Sequence, residues 1–337
     1  MTALTGFAQT FTHLALARVG VGIGEAACTP PAHSLISDYF PPERRATALS
    51  IYALGAPIGI MIGYVSGGWI NEFFDWRTAF FVVGLPGLAL AVVVRFTLQE
   101  PPRGHSERIQ SSNVAEQEST GQVLRFMWGL HAFRHMSIAA ALHAFYGYGV
   151  LAFVPVFMIR VHGMTNTAEL GTWLGLIWGI LGGIGTYLGG SLSDRLAARK
   201  DARWYMWLPA GATLVSLPFA FLFYLWPEGR IALLLSIPGA VLGPMYLGPT
   251  FAMTQGLVKL RMRAVASAIL LFIINLIGLG LGPQVVGIVS DLLTPIYGTE
   301  AIRYALLSVV TVGSIWSSAH YFLAARTLRE DLKAKDR

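Results

Sequence analysis

Long apolar runs with almost no charge inside them decide what this chain can become. Nine complete runs lie at about 14–38, 46–70, 77–98, 136–160, 170–193, 204–226, 231–257, 265–292 and 302–325, with a stub at 1–11. Each is 22 to 28 residues long, enough for a helix to cross about 30 Å of hydrocarbon. In hydrocarbon every backbone polar group must be satisfied within the fold, so runs of this length predict spanning helices. The proline residues inside them (Pro30, Pro31, Pro57, Pro155, Pro244, Pro249) do not argue against helices, because neighbouring helices can satisfy the freed groups. Charged residues make up 12% of the chain, about half the share of a soluble domain. An all-α, polytopic membrane protein is expected and a soluble enzyme is excluded. The single cysteine, Cys28, excludes an intrachain disulfide and a cysteine-built zinc site.

Loop charge orients the runs. Taken alternately, the loops at 44–45, 95–134, 195–203 and 259–263 and the C-terminal end carry 19 of the 24 Lys and Arg. The opposite loops hold only Arg77, Arg160, Arg230 and Arg303. Such a bias predicts that the first set and the C-terminus are cytoplasmic; the expected setting is a bacterial inner membrane. The net charge of +6 follows from this bias and gives no reason to expect nucleic acid. Residues 99–134 form the one long polar stretch and read as a cytoplasmic linker, with a short amphipathic helix near Val123–Trp128. The expected domains are an incomplete N-terminal bundle at 1–98, the linker at 99–134, a six-helix bundle at 135–326 and a cytoplasmic tail at 327–337.

A repeat supports that division. Arg45-Ala46-Thr47-Ala48 through Ile51 resembles Arg263-Ala264-Val265-Ala266 through Ile269 at an offset of 218, each after a basic turn and opening a Gly-rich span. Six-helix repeats related by an axis along the membrane normal are a transporter architecture. Applied to the rear half, the offset places the start of the front half about 83 residues upstream of Met1. The expectation is therefore a chain lacking two helices and most of a third, whose front part holds the end of helix 3 and helices 4–6.

Gly190-Ser191-Leu192-Ser193-Asp194-Arg195, followed by Arg199 and Lys200, resembles the cytoplasmic loop signature of the major facilitator superfamily. The resemblance implies that superfamily's fold of parallel six-helix repeats. Gly190 would permit close helix contact, Asp194 would face a helix N-terminus, and Arg195 and Arg199 would help lock the halves. Ala197 and Ala198 replace the signature's next glycine and arginine, which weakens that expected lock. Within the superfamily, the front part resembles the Spinster-type transporters, whose members are linked to sphingolipids and lysolipids. The match runs through Arg18-x-Gly20-x-Gly22-x-Gly24-Glu25-Ala26, Asp38-Tyr39-Phe40, Arg45, Leu49-Ser50-Ile51-Tyr52, Pro57, Gly59, Gly63-Tyr64 and Gly67. It ends on Trp76-Arg77, Pro86-Gly87 and Glu100-Pro101-Pro102-Arg103-Gly104.

Arg18 and Glu25 are the foremost functional candidates. Seven residues apart on one helix, they share a face with Gly22 and Thr29, about 10.5 Å from each other along the axis. An ionisable residue inside a span is costly and faces a bundle interior or an aqueous cavity. Glu25 suits a carboxylate that binds and releases a proton, and Arg18 suits an anionic headgroup; the resemblance implies the same roles. The alternative is that both are fixed partners of charges on other helices. Gly55, Gly59, Gly63 and Gly67 recur every four residues and predict close helix packing. They partly match the superfamily's antiporter motif, but Tyr64 replaces its proline, leaving symport or antiport open. His143, Tyr146, Tyr148 and Asn275 are candidate cavity residues, whereas His33 and His320 read as structural.

No metal site, cofactor motif, nucleophile elbow or phosphate loop occurs in the sequence, and Gly20-x-Gly22-x-Gly24 is preceded by no strand. The sequence therefore predicts a monomeric secondary active transporter without cofactor. Its partners would be the lipid bilayer, protons and a small-molecule or lipid substrate, amphipathic or an organic anion. A sugar-acid or aromatic-acid symporter and a non-transporting membrane lipid sensor are the rival readings.

Overall fold

The computed structural model describes residues 1–26, 55–98, 119–199, 201–259 and 262–334, with single residues at 32, 35, 36, 39 and 52. Thr29, Cys28, His33, the basic turn at 44–45, the first copy of the repeat and most of the 99–134 linker lie outside the described residues. Among those described there is no strand. Six helices are long and apolar enough to cross a membrane by length and composition.

The chain divides into two compact units. The front unit takes residues 1–115 and 166–175, and the rear unit takes 116–165 and 176–337.

In the front unit α1 (Thr2–Thr5), α2 (Phe11–Ala26), α3 (Gly55–Phe73) and α4 (Trp76–Thr97) follow the apolar runs. Asp75 starts α4 as its N-cap, accepting the Thr78 N–H at 2.7 Å. The expected stub is a single turn of helix laid on α4. Phe7 meets Phe81 edge to face at 4.8 Å, and the Arg77 guanidinium donates to the Ala8 carbonyl at 3.1 Å. No side chain of α3 or α4 is buried; apolar surface of this kind is at home against hydrocarbon, which is as apolar as leucine. The other packing partner of α3 is the head of α7 (167–199), which is α-helical over Thr167–Leu174, π-helical over Gly175–Leu181 and α-helical again over Gly182–Arg199.

The rear unit begins with the amphipathic helix α5 (Thr120–Gly129), closed by a Ser119/Gln122 capping box. Val123 and Met127 on its inner face are fully buried. Then come α6 (His131–His162), the body of α7, α8 (Trp204–Leu225), the interrupted α9 (Gly229–Gly256), α10 (263–297) and α11 (Ala301–Ala334). α6 ends on Gly163 at φ 64°, and α10 turns into α11 at Gly298 at φ 56°, conformations that side chains with a Cβ rarely adopt. Their core centres on Phe133, Met136, Met206, Leu270, Tyr321 and Leu328. Hydroxyls fasten α11 within it: Ser317 donates to the Ala139 carbonyl at 2.8 Å and Ser318 to the Ala210 carbonyl at 3.2 Å.

Two features differ from the run-length reading. α11 continues nine residues beyond the apolar run, through 326–334, because its polar end binds neighbouring backbone and loops rather than lipid. The Asp331 carboxylate accepts the Ala132 N–H at 2.6 Å, and Arg329 pairs with Asp201 at 2.5 Å. In addition, α7 and α10 each pass through a π-helical segment, Gly175–Leu181 and Asn275–Leu279.

Candidate functional site

Arg18 and Glu25 both lie on α2, and both are exposed. The Arg18 guanidinium sits 5.0 Å from the centre of the Phe80 ring of α4, a cation–π contact. Neither residue forms an ion pair with another described residue. Gly22, between them, has nothing within 4 Å of where a Cβ would stand. Their shared face is therefore bare backbone with a cation near one end and a carboxylate near the other.

In the rear unit the structure joins His143 and Tyr146. His143 is 4% exposed, and the Tyr146 hydroxyl lies 2.9 Å from its Nδ1 and 3.0 Å from its Nε2. Two partners come from other helices and were not foreseen. Thr213 Oγ1 on α8 is 3.3 Å from His143 Nδ1, and the Tyr246 ring on α9 stacks on the imidazole at 4.0 Å. The only sequence signal for them is a hydroxyl inside an apolar run. Asn275 does not join this cluster; it is exposed at the head of the π-helical segment of α10. His320 pairs with His135, Nδ1 to Nδ1 at 2.9 Å, which requires one ring to donate and the other to accept.

A Cβ at Gly55, Gly59, Gly63 or Gly67 would meet nothing within 4 Å, so among the described residues that series packs against no helix. The close approach is made at Gly68, whose Cβ would stand 2.9 Å from the Gly171 Cα of α7. Gly190 in the loop signature is approached by Gly248 of α9, whose Cβ would lie 3.1 Å from the Gly190 Cα. Asp194 accepts the Tyr205 hydroxyl at 2.7 Å, at the start of α8. Arg195 is exposed, and Arg199 ends the α-helical part of α7. Beyond them, Asp201 binds Arg203 at 2.7 Å as well as Arg329. Burial raises the Asp201 pKa, but the Arg203 N–H and the Arg203 and Arg329 guanidiniums outweigh it and hold the carboxyl down at about 2. Its side chain is 8% exposed although it sits near the molecular surface, because the two guanidiniums themselves cover it.

Among the described residues no group of three or more His, Cys, Asp or Glu could hold a metal ion. What the described residues offer is charge at one place in an apolar helix and a buried imidazole–hydroxyl cluster in another.

The family model described as Major Facilitator Superfamily matches residues 1–283. An "MFS-type efflux pump" of Mycolicibacterium smegmatis is 34% identical over 98% of this chain and 75% of its own length. "Protein spinster homolog 1" of Bos taurus is 28% identical over 92% of this chain. The chain spans 62% of that bovine protein's length. The crystal structure of a bacterial homologue of the human lysosomal transporter Spinster, inward-facing and unoccupied, superposes with a TM-score of 0.85 at 30% identity, covering 98% of this chain and 81% of that one. With its helices, its loop signature and these relatives in agreement, the chain belongs to the major facilitator superfamily, in a Spinster-like branch of its membrane transporters.

Proposed function

We propose that the chain is a proton-coupled secondary active transporter of an amphipathic or organic-anion solute, working by rocking of two helix bundles about a midplane site. Glu25 carries this reading: a carboxylate in an apolar helix, exposed and without an ion pair among the described residues. A charge at the centre of a membrane helix costs roughly 2.5–3.5 kcal/mol on insertion scales, which a packing role alone would not require. Arg18 on the same helix supplies the counter-charge for an anionic headgroup, and its apolar surroundings favour a substrate with a hydrocarbon part. A relative in Xenopus tropicalis is named as a sphingosine-1-phosphate transporter, which supports a lipid-like substrate, and the mycobacterial relative is named for efflux.

The domain scheme belongs to the same proposal: an N-terminal bundle to residue 98, a linker at 99–134, a C-terminal bundle at 135–326 and a cytoplasmic tail, in one monomeric inner-membrane protein. The test is transport in proteoliposomes with an imposed pH gradient, using a fluorescent lysophospholipid and, separately, gluconate. Glu25→Gln is expected to abolish gradient-driven lysophospholipid movement while leaving binding and exchange. Arg18→Ala is expected to weaken binding at least about tenfold, since it removes both a charge and a bidentate donor. Movement of gluconate alone would favour the sugar-acid reading, and binding without movement the sensor. Wild-type behaviour of Glu25→Gln would return Glu25 to a structural role.

A further inference from the structure

We propose that the start of α6 and the facing stretch of α11 bind the phosphate headgroup of an anionic phospholipid, through Arg134 and the His135–His320 imidazole pair. The two rings stand 5.1 Å apart between centres, with their Nδ1 atoms 2.9 Å from each other. In the neutral pair the donating ring spends its proton on Nδ1, so only the accepting ring carries an Nε2–H. One added proton leaves the shared Nδ1–H···Nδ1 bond intact and makes both Nε2 atoms donors. The pair then holds one positive charge and two N–H groups on its outer edges, which suits phosphate oxygens. Arg134 lies beside His135 on α6 and His131 one turn before it; these two are the charged or titratable groups that act on the pair. Among the described residues none of Arg134, His131, His135 and His320 forms an ion pair. Asp331, from the end of α11, is committed to the Ala132 N–H. Four groups able to carry positive charge therefore gather without a counter-charge in contact, and all four are at least partly exposed. Arg134 makes the place one for an anion, since a metal ion bound by the two rings would be repelled by it.

Depth in the membrane selects a lipid over a free anion. His135 immediately precedes the apolar run at 136–160, and His320 is five residues from the end of the run at 302–325, about 7.5 Å along the helix. Both therefore stand at the level where headgroups meet acyl chains. Trp316, one turn deeper on α11, has its ring 6.4 Å from the His320 imidazole and is more than half exposed. Tryptophan is enriched at this level of a membrane, with its apolar ring towards the chains. Val312 and Ile315 share the Trp316 face and are also more than half exposed. An apolar stripe thus runs from the imidazole pair towards the middle of the membrane, as an acyl chain below a bound headgroup requires. The same end of the bundle lies on the basic side of the loop-charge bias, where anionic lipids are drawn to Lys and Arg. The inference needs only the membrane fold and is independent of what the chain transports.

The test is native mass spectrometry of the full chain in detergent, titrated with dioctanoyl phosphatidylglycerol and, separately, dioctanoyl phosphatidylcholine. The anionic lipid is expected to bind at least about tenfold more tightly, as a charge-assisted contact should. Arg134→Gln is expected to weaken its binding about tenfold. His320→Phe, which keeps an aromatic ring and removes both nitrogens, should do the same. Arg195→Gln removes an exposed charge on the same side but on α7, and should leave binding unchanged. A thermal scan of each variant separates lost binding from lost fold, and if His320→Phe does not fold, Arg134→Gln decides. Wild-type binding should tighten as pH falls from about 8 to about 6, where an imidazole pair gains its proton, and His320→Phe should lose most of that dependence. Equal binding of the two lipids, or an Arg195→Gln loss as large as that of Arg134→Gln, would overturn the site. Inorganic phosphate or glycerol 3-phosphate at the lipid's concentration should not displace it; displacement would make this a free-anion site and overturn the lipid assignment.

Discussion

Gly63 and Gly68 stand five positions apart on α3, yet their surroundings are opposite. A Cβ at Gly63 would meet nothing within 4 Å, whereas one at Gly68 would press on the Gly171 Cα at 2.9 Å and on the Thr167 carbonyl. Backbone cannot swing aside as the end of a side chain can, so Gly68→Ala must push α3 off α7. Overpacking of this kind costs about 1–3 kcal/mol, while Gly63→Ala gains up to about 1 kcal/mol of helix propensity. In a thermal unfolding scan in detergent, Gly68→Ala is expected to unfold several degrees below wild type and Gly63→Ala at or above it. Equal losses in both would put the packing back on the four-residue series. That series was legible in the sequence, but its contact was not. Steps of four residues advance a 3.6-residue helix by about 40° each, so Gly55 and Gly67 diverge by about 120° and cannot form one straight face. Which of the adjacent pair Gly67 and Gly68 meets a neighbour depends on where α7 crosses, and no local pattern encodes that. His143 is similar: the residue stood out, but Thr213 and Tyr246 join it from helices that only the fold brings together.

Apolar run length located the spanning elements because hydrocarbon thickness fixes how long a helix must be. It stopped short wherever a helix continues for another reason. The 326–334 end of α11 is polar and is held by Asp201 and by the N-terminus of α6. The π-helical turns in α7 and α10 were equally hidden, since Gly175–Leu181 is as apolar as its flanks. The α11 clasp has a pH signature with a definite sign. Asp201 sits at about 2 against its ordinary value of 3.8, so the folded form holds this carboxylate ionised where the unfolded form would already bind a proton. Its contribution is complete above about 4 and is lost as pH falls towards 2. A nitroxide at Lys333→Cys, in Cys28→Ser, is expected to report an immobile α11 end at pH 5 and a progressively mobile one between about 4 and 2. Arg329→Ala should give the mobile spectrum already at pH 5. A pH-independent spectrum in the unmodified clasp would show that other contacts hold the end of α11.

For the molecule as a whole, packing and orientation have different origins in the chain. The helices are set by apolar length and by close contacts, and these would be the same with the protein inverted in the bilayer. The loops break that symmetry, with 19 of 24 basic residues on one side and Arg77, Arg160, Arg230 and Arg303 on the other. Lys and Arg near span ends resist translocation, so the side that carries them is expected to stay in the cytoplasm. The rear unit joins this bias to a count. On the proposed scheme α6, α7, α8, α9, α10 and α11 each cross once, which would put α5 at their start and the end of α11 on one side. The Asp331–Ala132 and Arg329–Asp201 contacts agree with that, since they tie the end of α11 to the starts of α6 and α8. A fluorescent protein fused after Arg337 is therefore expected to mature in the cytoplasm, while an alkaline phosphatase fusion at the same point stays inactive. Glu300→Cys, at the turn between α10 and α11 and in the Cys28→Ser background, should react with an impermeant maleimide on intact cells. Ala202→Cys, beside the Asp201 clasp, should react only after the membrane is opened. The reverse labelling pattern would mean that loop charge does not orient this chain.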